Sequence, residues 1–262
     1  MRKRCAIALI TTVVAFSACS GSQSKTDFPI DSSEAKMPAY NPSTATSKVY
    51  GSIQFQGVPP TMSFIKPGGS RFCVQNARGI TEQSVLVTKD KKLQNVIVYV
   101  RSGWQGKSYE VPSNTVVLDQ QRCLYVPHVV TLGTGQKLRI LNSDNTFHNV
   151  HAKTTVNKPL NFAQTEKGNE NTVTFQQAEP PFLIGCDLHS WMGVWVAVFD
   201  HPFHAMSGES GNYEIKLPPG KYEIAAWHEK LGERVMNVDV GSNAQVKLDF
   251  TFSAENSGKS GS

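Results

Sequence analysis

Short β-prone runs separated by turn residues dominate this chain, and no long segment carries helical periodicity. The runs are Val49–Phe55, Ser84–Thr88, Asn95–Arg101, Thr115–Leu118, Lys137–Leu141, Asn171–Phe175, Leu183–Cys186, Val194–Phe199, Tyr213–Leu217, Tyr222–Trp227 and Val246–Phe252. Gly, Pro, Asn and Asp stand between them and supply turn geometry. A chain patterned this way buries its apolar faces by stacking sheets, so the expected class is all-β sandwich. Its 262 residues leave room for one or two domains.

The first residues have a different character. Met1-Arg2-Lys3-Arg4 is a basic start, and Cys5 to Phe16 is an apolar stretch too short to span a bilayer as a stable anchor. Phe16-Ser17-Ala18-Cys19 is similar to the lipobox of bacterial lipoproteins, with Phe16 in place of the usual Leu. That resemblance implies a signal peptide over 1–18, lipidation at Cys19 and an exported protein anchored to a membrane, facing the periplasm or cell exterior. A plain secretory peptide cleaved nearby is the alternative. Residues 19–47 are rich in Ser, Thr, Pro, Asp and Lys, and are expected to form a flexible tether. Net charge is +5; without the leader, 23 basic residues face 21 acidic ones, a net of +2. Such a balance gives no reason to invoke nucleic acid.

Chemistry concentrates in Cys186-Asp187-Leu188-His189-Ser190-Trp191-Met192. The apolar Pro181–Gly185 precedes it and the β-prone Gly193–Phe199 follows, so a loop between two strands is expected, with Cys186 ending the first. Upstream lies Asn145-Thr146-Phe147-His148-Asn149-Val150-His151. His148 precedes Cys186 by 186 − 148 = 38 residues, enough for a return journey through a sheet. Two imidazoles, one thiolate and a distant thioether make the ligand field of a blue-copper electron-transfer site. Zinc also accepts Cys and His, but Met192 argues against it. His148 and His151 should point to opposite faces of a strand, so both should not bind one ion.

Residues 142–199 resemble the cupredoxins, and within them the amicyanin and plastocyanin branch. His148-Asn149-Val150-His151 is similar to the first-ligand motif of amicyanins, and Cys186-x2-His189-x2-Met192 has their loop spacing. The resemblance implies His148, Cys186, His189 and Met192 as ligands of one type 1 copper in a Greek-key sandwich. It also implies that an exposed edge of His189 is the electron port. Asp187 beside the thiolate and Trp191 beside Met192 depart from the pattern. Asn149 is expected to brace the ligand loop by side-chain hydrogen bonds.

Five cysteines occur, Cys5, Cys19, Cys73, Cys123 and Cys186. With Cys5 in the leader, Cys19 as lipid acceptor and Cys186 as a ligand, Cys73 and Cys123 remain. An exported compartment permits a disulfide between them; two buried free thiols are the alternative.

Ser210 to Ile224 reads as strand, Pro-Pro-Gly turn and strand. This resembles the second half of carboxypeptidase-regulatory-like, transthyretin-like β-sandwiches. Val49–Pro60 is similar to the opening strand and turn of that fold, and Asn95–Val100 to a later strand. The expectation is a discontinuous sandwich over 48–108 and 205–252, with the cupredoxin domain at 109–204 inserted in it and a disordered tail at 253–262. A string of two modules is the simpler alternative.

His128, His201, His204 and His228 raise the question of a second metal site, against the commoner role of hydrogen bonding at a domain contact. No nucleophilic triad, phosphate-cradling loop or basic–aromatic stripe is present, and the His-Cys-His adjacency of multicopper oxidases is absent. The expected activity is single-electron transfer between a redox protein donor and acceptor, without catalysis. Copper storage or delivery and a degenerate adhesion module are the rivals.

Overall fold

The structure, a computed structural model, describes residues 37–254. The leader, Cys19 and most of the tether and tail lie outside the described residues. The described residues are all-β apart from one short α-helix and one 3-10 turn at Pro42–Thr44. The first elements are β1 (Ser47–Gln56), α1 (Arg71–Asn76) and β2 (Ile97–Ser102). Next come β3 (Val116–Gln121), β4 (Leu124–Val126), β5 (Val129–Gly133), β6 (Lys137–Asn142), β7 (His148–Ala152), β8 (Leu160–Gln164) and β9 (Glu170–Thr174). They are followed by β10 (Glu179–Cys186), β11 (His189–Phe199), β12 (His204–Met206) and β13 (Asn212–Leu217). The last are β14 (Gly220–His228), β15 (Gly232–Val240), β16 (Gln245–Lys247) and β17 (Phe250–Ser253).

Four sheets make two sandwiches. One sandwich faces the order β5-β11-β10-β7-β8 against β4-β3-β6-β9. Its core holds Leu118, Leu138, Ile140, Val150, Ile184 and Val194, all 0% exposed. The other sandwich faces β13-β1-β16, with β17 also on β1, against β12-β2-β14-β15. Strands from both ends of the described chain therefore share its sheets. β1 alternates buried and half-buried residues, the period-2 signature, and sends Val49, Ile53 and Phe55 into this second core. Gly51 is needed there, since a Cβ would lie 1.9 Å from the Leu248 carbonyl oxygen.

A third cluster seals the sandwiches together. Ile97 of β2, Val129 of β5, and Ala197 and Phe199 of β11 are buried against Tyr99, Trp195 and Trp227. The Trp195 and Trp227 rings lie 5.3 Å apart, and those of Tyr99 and Phe199 5.1 Å.

Several expectations change. Ser84–Thr88 is not a strand; Val87 makes one isolated bridge to Leu93. The stretch 48–108 divides: Ile65, Cys73 and Ala77 bury themselves in the core around β10, not in the one around β1. Residues 37–47 are not a free tether. The Tyr40 N–H donates to the Ser108 carbonyl at 2.8 Å, and its ring packs on Tyr109 and Phe203. An aromatic side chain in an otherwise polar stretch found a hydrophobic partner.

One buried carboxylate fixes the connection from β7 to β8. Glu179 is 2% exposed. It accepts from the N–H groups of Thr155, Val156 and Asn157 and from the Asn157 side chain. Burial alone would raise its pKa, but these donors hold it below the carboxylate value of 4.5. Its stabilisation is therefore complete above that value and lost as pH falls through the lower, folded pKa. Glu179→Gln should cost about 2–3 kcal/mol at neutral pH, since an amide turns N–H groups toward existing donors. Denaturant unfolding at pH 7 and pH 3 checks this: the penalty should shrink in acid, and an equal penalty at both would refute the assignment.

Candidate metal centre

Hydrogen bonding of neighbouring strands places the functional side chains. β10 and β11 form a hairpin whose turn is Asp187-Leu188, with Cys186 opposite His189 and a register shift after Gly185. β7 pairs with β10 through Gly185 and His151 and with β8 through His148 and Gln164. His148 and Cys186 thus meet at one end of the same sheet. Cys186 ends the first strand as expected, but the loop is shorter than expected: only Asp187 and Leu188 lie between the strands, and His189 to Met192 already belong to β11.

His148, Cys186 and His189 converge. Their donor atoms all lie within 4.8 Å of one another, and the residues are buried. The two Nδ1 atoms are 3.1 Å apart, and the Cys186 Sγ lies 3.5 Å from the His189 Nδ1. Met192 is 2% exposed and belongs to the same buried cluster as Cys186. His151 is on the opposite face, half exposed, with its Nδ1 2.9 Å from Asp187 Oδ1. Asn149 ties the loop down: its Oδ1 accepts from the Asp187 N–H at 2.7 Å, and its Nδ2 donates to Asp187 Oδ2 at 2.8 Å.

Asp144, which the sequence reading passed over, orients the first imidazole. The His148 Nε2–H donates to Asp144 Oδ2 at 3.0 Å, leaving the Nδ1 lone pair directed at the site. The same carboxylate accepts from the N–H groups of Arg122 and Cys123, each at 2.7 Å. These two residues form the β3–β4 turn, and both have positive φ, 55° and 57°. A left-handed pair without glycine costs on the order of 1–2 kcal/mol per residue, which the charge-assisted bonds offset. The only sequence signal was a carboxylate four residues before His148.

Burial, the largest influence on each group, competes with these contacts. Burial would depress His148, but Asp144 and the Cys186 sulfur outweigh it and raise the pKa. Burial would raise the Cys186 thiol, but His148 and the Asn149 and Leu188 N–H groups bring it below its ordinary value. His189 is lowered, by burial first and then by His148. The shifts move Cys186 toward its thiolate and His189 toward its neutral imidazole, the forms that bind metal. One soft thiolate and two Nδ1 atoms, buried and convergent, fit copper.

The expected electron port is not exposed: His189 is only 2% accessible. Cys73 and Cys123 form a disulfide, and the Cys73 Sγ lies 3.5 Å from the His189 Nε2. Gly69, with φ +73°, lets the chain before α1 pass over the same imidazole edge, and Ser70 Oγ meets Thr146 Oγ1 at 2.8 Å. A covering segment more than a hundred residues away in sequence left no signal in the loop itself. Cys123 also falls within 4.8 Å of Asp144 and His148, but as half of the disulfide it offers no thiolate.

The remaining histidines serve as contacts. His128 pairs with Glu229, His204 stacks on Phe199, and His201 and His228 each accept a backbone N–H. Burial lowers His201 to about 3 and His204 and His228 to about 4, so all three are neutral. Among the described residues, no ion-holding group includes any of these histidines.

No protein-family model matches the sequence, and no curated protein matches it. Solved structures show partial likeness. Over 39% of this chain and 98% of its own, an oxidised mutant of amicyanin is 22% identical, with a TM-score of 0.30. A purple cupredoxin from Nitrosopumilus maritimus is 17% identical over 32% of this chain and 99% of its own, with a TM-score of 0.28. The copper-containing nitrite reductase of Thermus scotoductus SA-01 is 15% identical over 35% of this chain, with a TM-score of 0.32; the match spans 24% of the reductase.

Replacing Cys73 and Cys123 together by Ser should cost about 4 kcal/mol in the chain-entropy description of a 50-residue loop. Thermal unfolding measures it, and an unchanged midpoint would contradict it. Asp144→Ala leaves three N–H donors without their acceptor, two of them buried, and should cost on the order of 3 kcal/mol. Calorimetry of the metal-free protein separates this from any effect on metal affinity.

Proposed function

We propose that this protein is an exported, cupredoxin-type copper protein that carries single electrons between extracytoplasmic redox partners. The observation that carries the reading is the convergence of His148 Nδ1, His189 Nδ1 and Cys186 Sγ in a buried pocket. His148, His189, Cys186 and Met192 would hold one copper. Bound copper would supply a one-electron couple between Cu(II) and Cu(I). Asp144 holds the His148 tautomer, backbone N–H groups hold the thiolate, and the cap around Cys73 excludes water. Four ligands would fill the coordination sphere and leave no open position for substrate, so no catalytic residue is assigned.

The second sandwich is read as a carboxypeptidase-regulatory-like module, discontinuous in sequence, that presents the copper unit to a partner. Cys19 is the proposed lipid attachment point, and the donor and acceptor are redox proteins. Copper storage is the second reading, favoured by one observation: His148, Cys186, His189 and Met192 are all at most 4% exposed. A closed site retains its metal as well as it protects a couple.

Spectroscopy distinguishes them. Adding Cu(II) to the metal-free protein should produce a strong visible thiolate band that ascorbate bleaches and an oxidant restores. Tight Cu(I) binding with no stable Cu(II) form would transfer support to storage. Cys186→Ser should abolish the band; a blue Cys186→Ser protein would refute the ligand assignment.

A further inference from the structure

We propose that Trp191, and not the edge of His189, is the side chain through which electrons enter and leave the site. The proposal rests on the electron-transfer reading above. An imidazole edge serves as a port only if a partner can touch it, and the His189 edge is closed by Gly69 and the Cys73–Cys123 disulfide. The ring next to it is open. Trp191 lies 5.1 Å from His189 between centroids, tilted by 49°. Its Nε1–H donates to the Cys123 carbonyl at 2.9 Å, which fixes the indole against the imidazole.

The outer side of Trp191 is half-buried and lines a cavity of about 320 Å³ that also meets Trp195, Leu124, His128 and Glu229. Other exposed groups near Cys186 are poorer conduits. Asp187 and Leu188 offer a carboxylate and a saturated chain, and the His151 imidazole meets the loop at the Asp187 carboxylate. An indole offers a delocalised π system that couples a buried ring to a planar acceptor with one short gap on its inner side. A partner with a flat aromatic or macrocyclic one-electron centre suits the cavity by shape and by its tryptophan walls. The step transfers one electron from the reduced site to that acceptor and breaks no bond.

Tris(1,10-phenanthroline)cobalt(III), a planar-ligand one-electron oxidant, tests this on the copper-loaded full protein by stopped flow. Trp191→Leu should slow oxidation at least tenfold while the visible band and midpoint potential stay at wild-type values, and Trp191→Phe should slow it less than threefold. A bulky maleimide on Glu82→Cys, at the exposed rim of the cavity, should also slow oxidation without touching the indole. In the metal-free protein, the chromium(III) analogue should broaden the Trp191 indole N–H resonance more than any His189 resonance. Wild-type rates in Trp191→Leu at unchanged potential, or preferential broadening at His189, would overturn the proposal. So would a shift in potential and band that accounts for the whole change in rate, since that marks a purely structural role. A wild-type protein without a reversible couple overturns the electron-transfer reading itself, before any variant is made.

Discussion

The Asp144 carboxylate is the constraint on which the centre depends. It answers three donors at once: the His148 Nε2–H and the backbone N–H groups of Arg122 and Cys123. One side of it sets the tautomer of an imidazole. The other side holds a left-handed turn that L residues adopt at a cost, and that turn carries Cys123 to the disulfide. The disulfide in turn places α1 and Gly69 over His189. Both imidazoles are therefore governed by one buried charge, the first through a direct bond and the second through the turn and the cap.

This linkage is one of three that bring the donor atoms together. The hairpin brings Cys186 and His189 together, and strand pairing brings His148 alongside. Asn149 pins the turn between the two loop ligands from the opposite face. A site held this way by the fold would change little when a bound metal changed charge, as the proposed one-electron role requires.

Strand periodicity and local spacing made much of this legible. Runs such as Val49–Phe55 and Val194–Phe199 lie within β1 and β11, and the Cys186 hairpin could be read because apolar strands flank a short polar turn. Ser84–Thr88 misled because β-branched residues there pack against a core without a partner strand along their length. The closure of His189 could not be read at all. It arises from a disulfide and a glycine whose nearness to the loop is purely tertiary. Tyr40 shows the same limit, since composition marked its surroundings as polar while one aromatic ring decided its place.

The pairing of β1 has a consequence for the order in which the chain can assemble. The strands paired with β1 are β13, β16 and β17, all of them after residue 211, while the end of β1 also bridges Lys92. A polypeptide emerging from its N-terminus must keep most of β1 waiting for its partner strands while about 150 residues follow it. The sandwich that carries the candidate metal centre, from β3 to β11, has all its strands by residue 199 and can close during that interval. The second sandwich can then form beside a finished neighbour, with the Ile97 and Trp227 side of the seam packing onto Trp195 and Phe199 already in place.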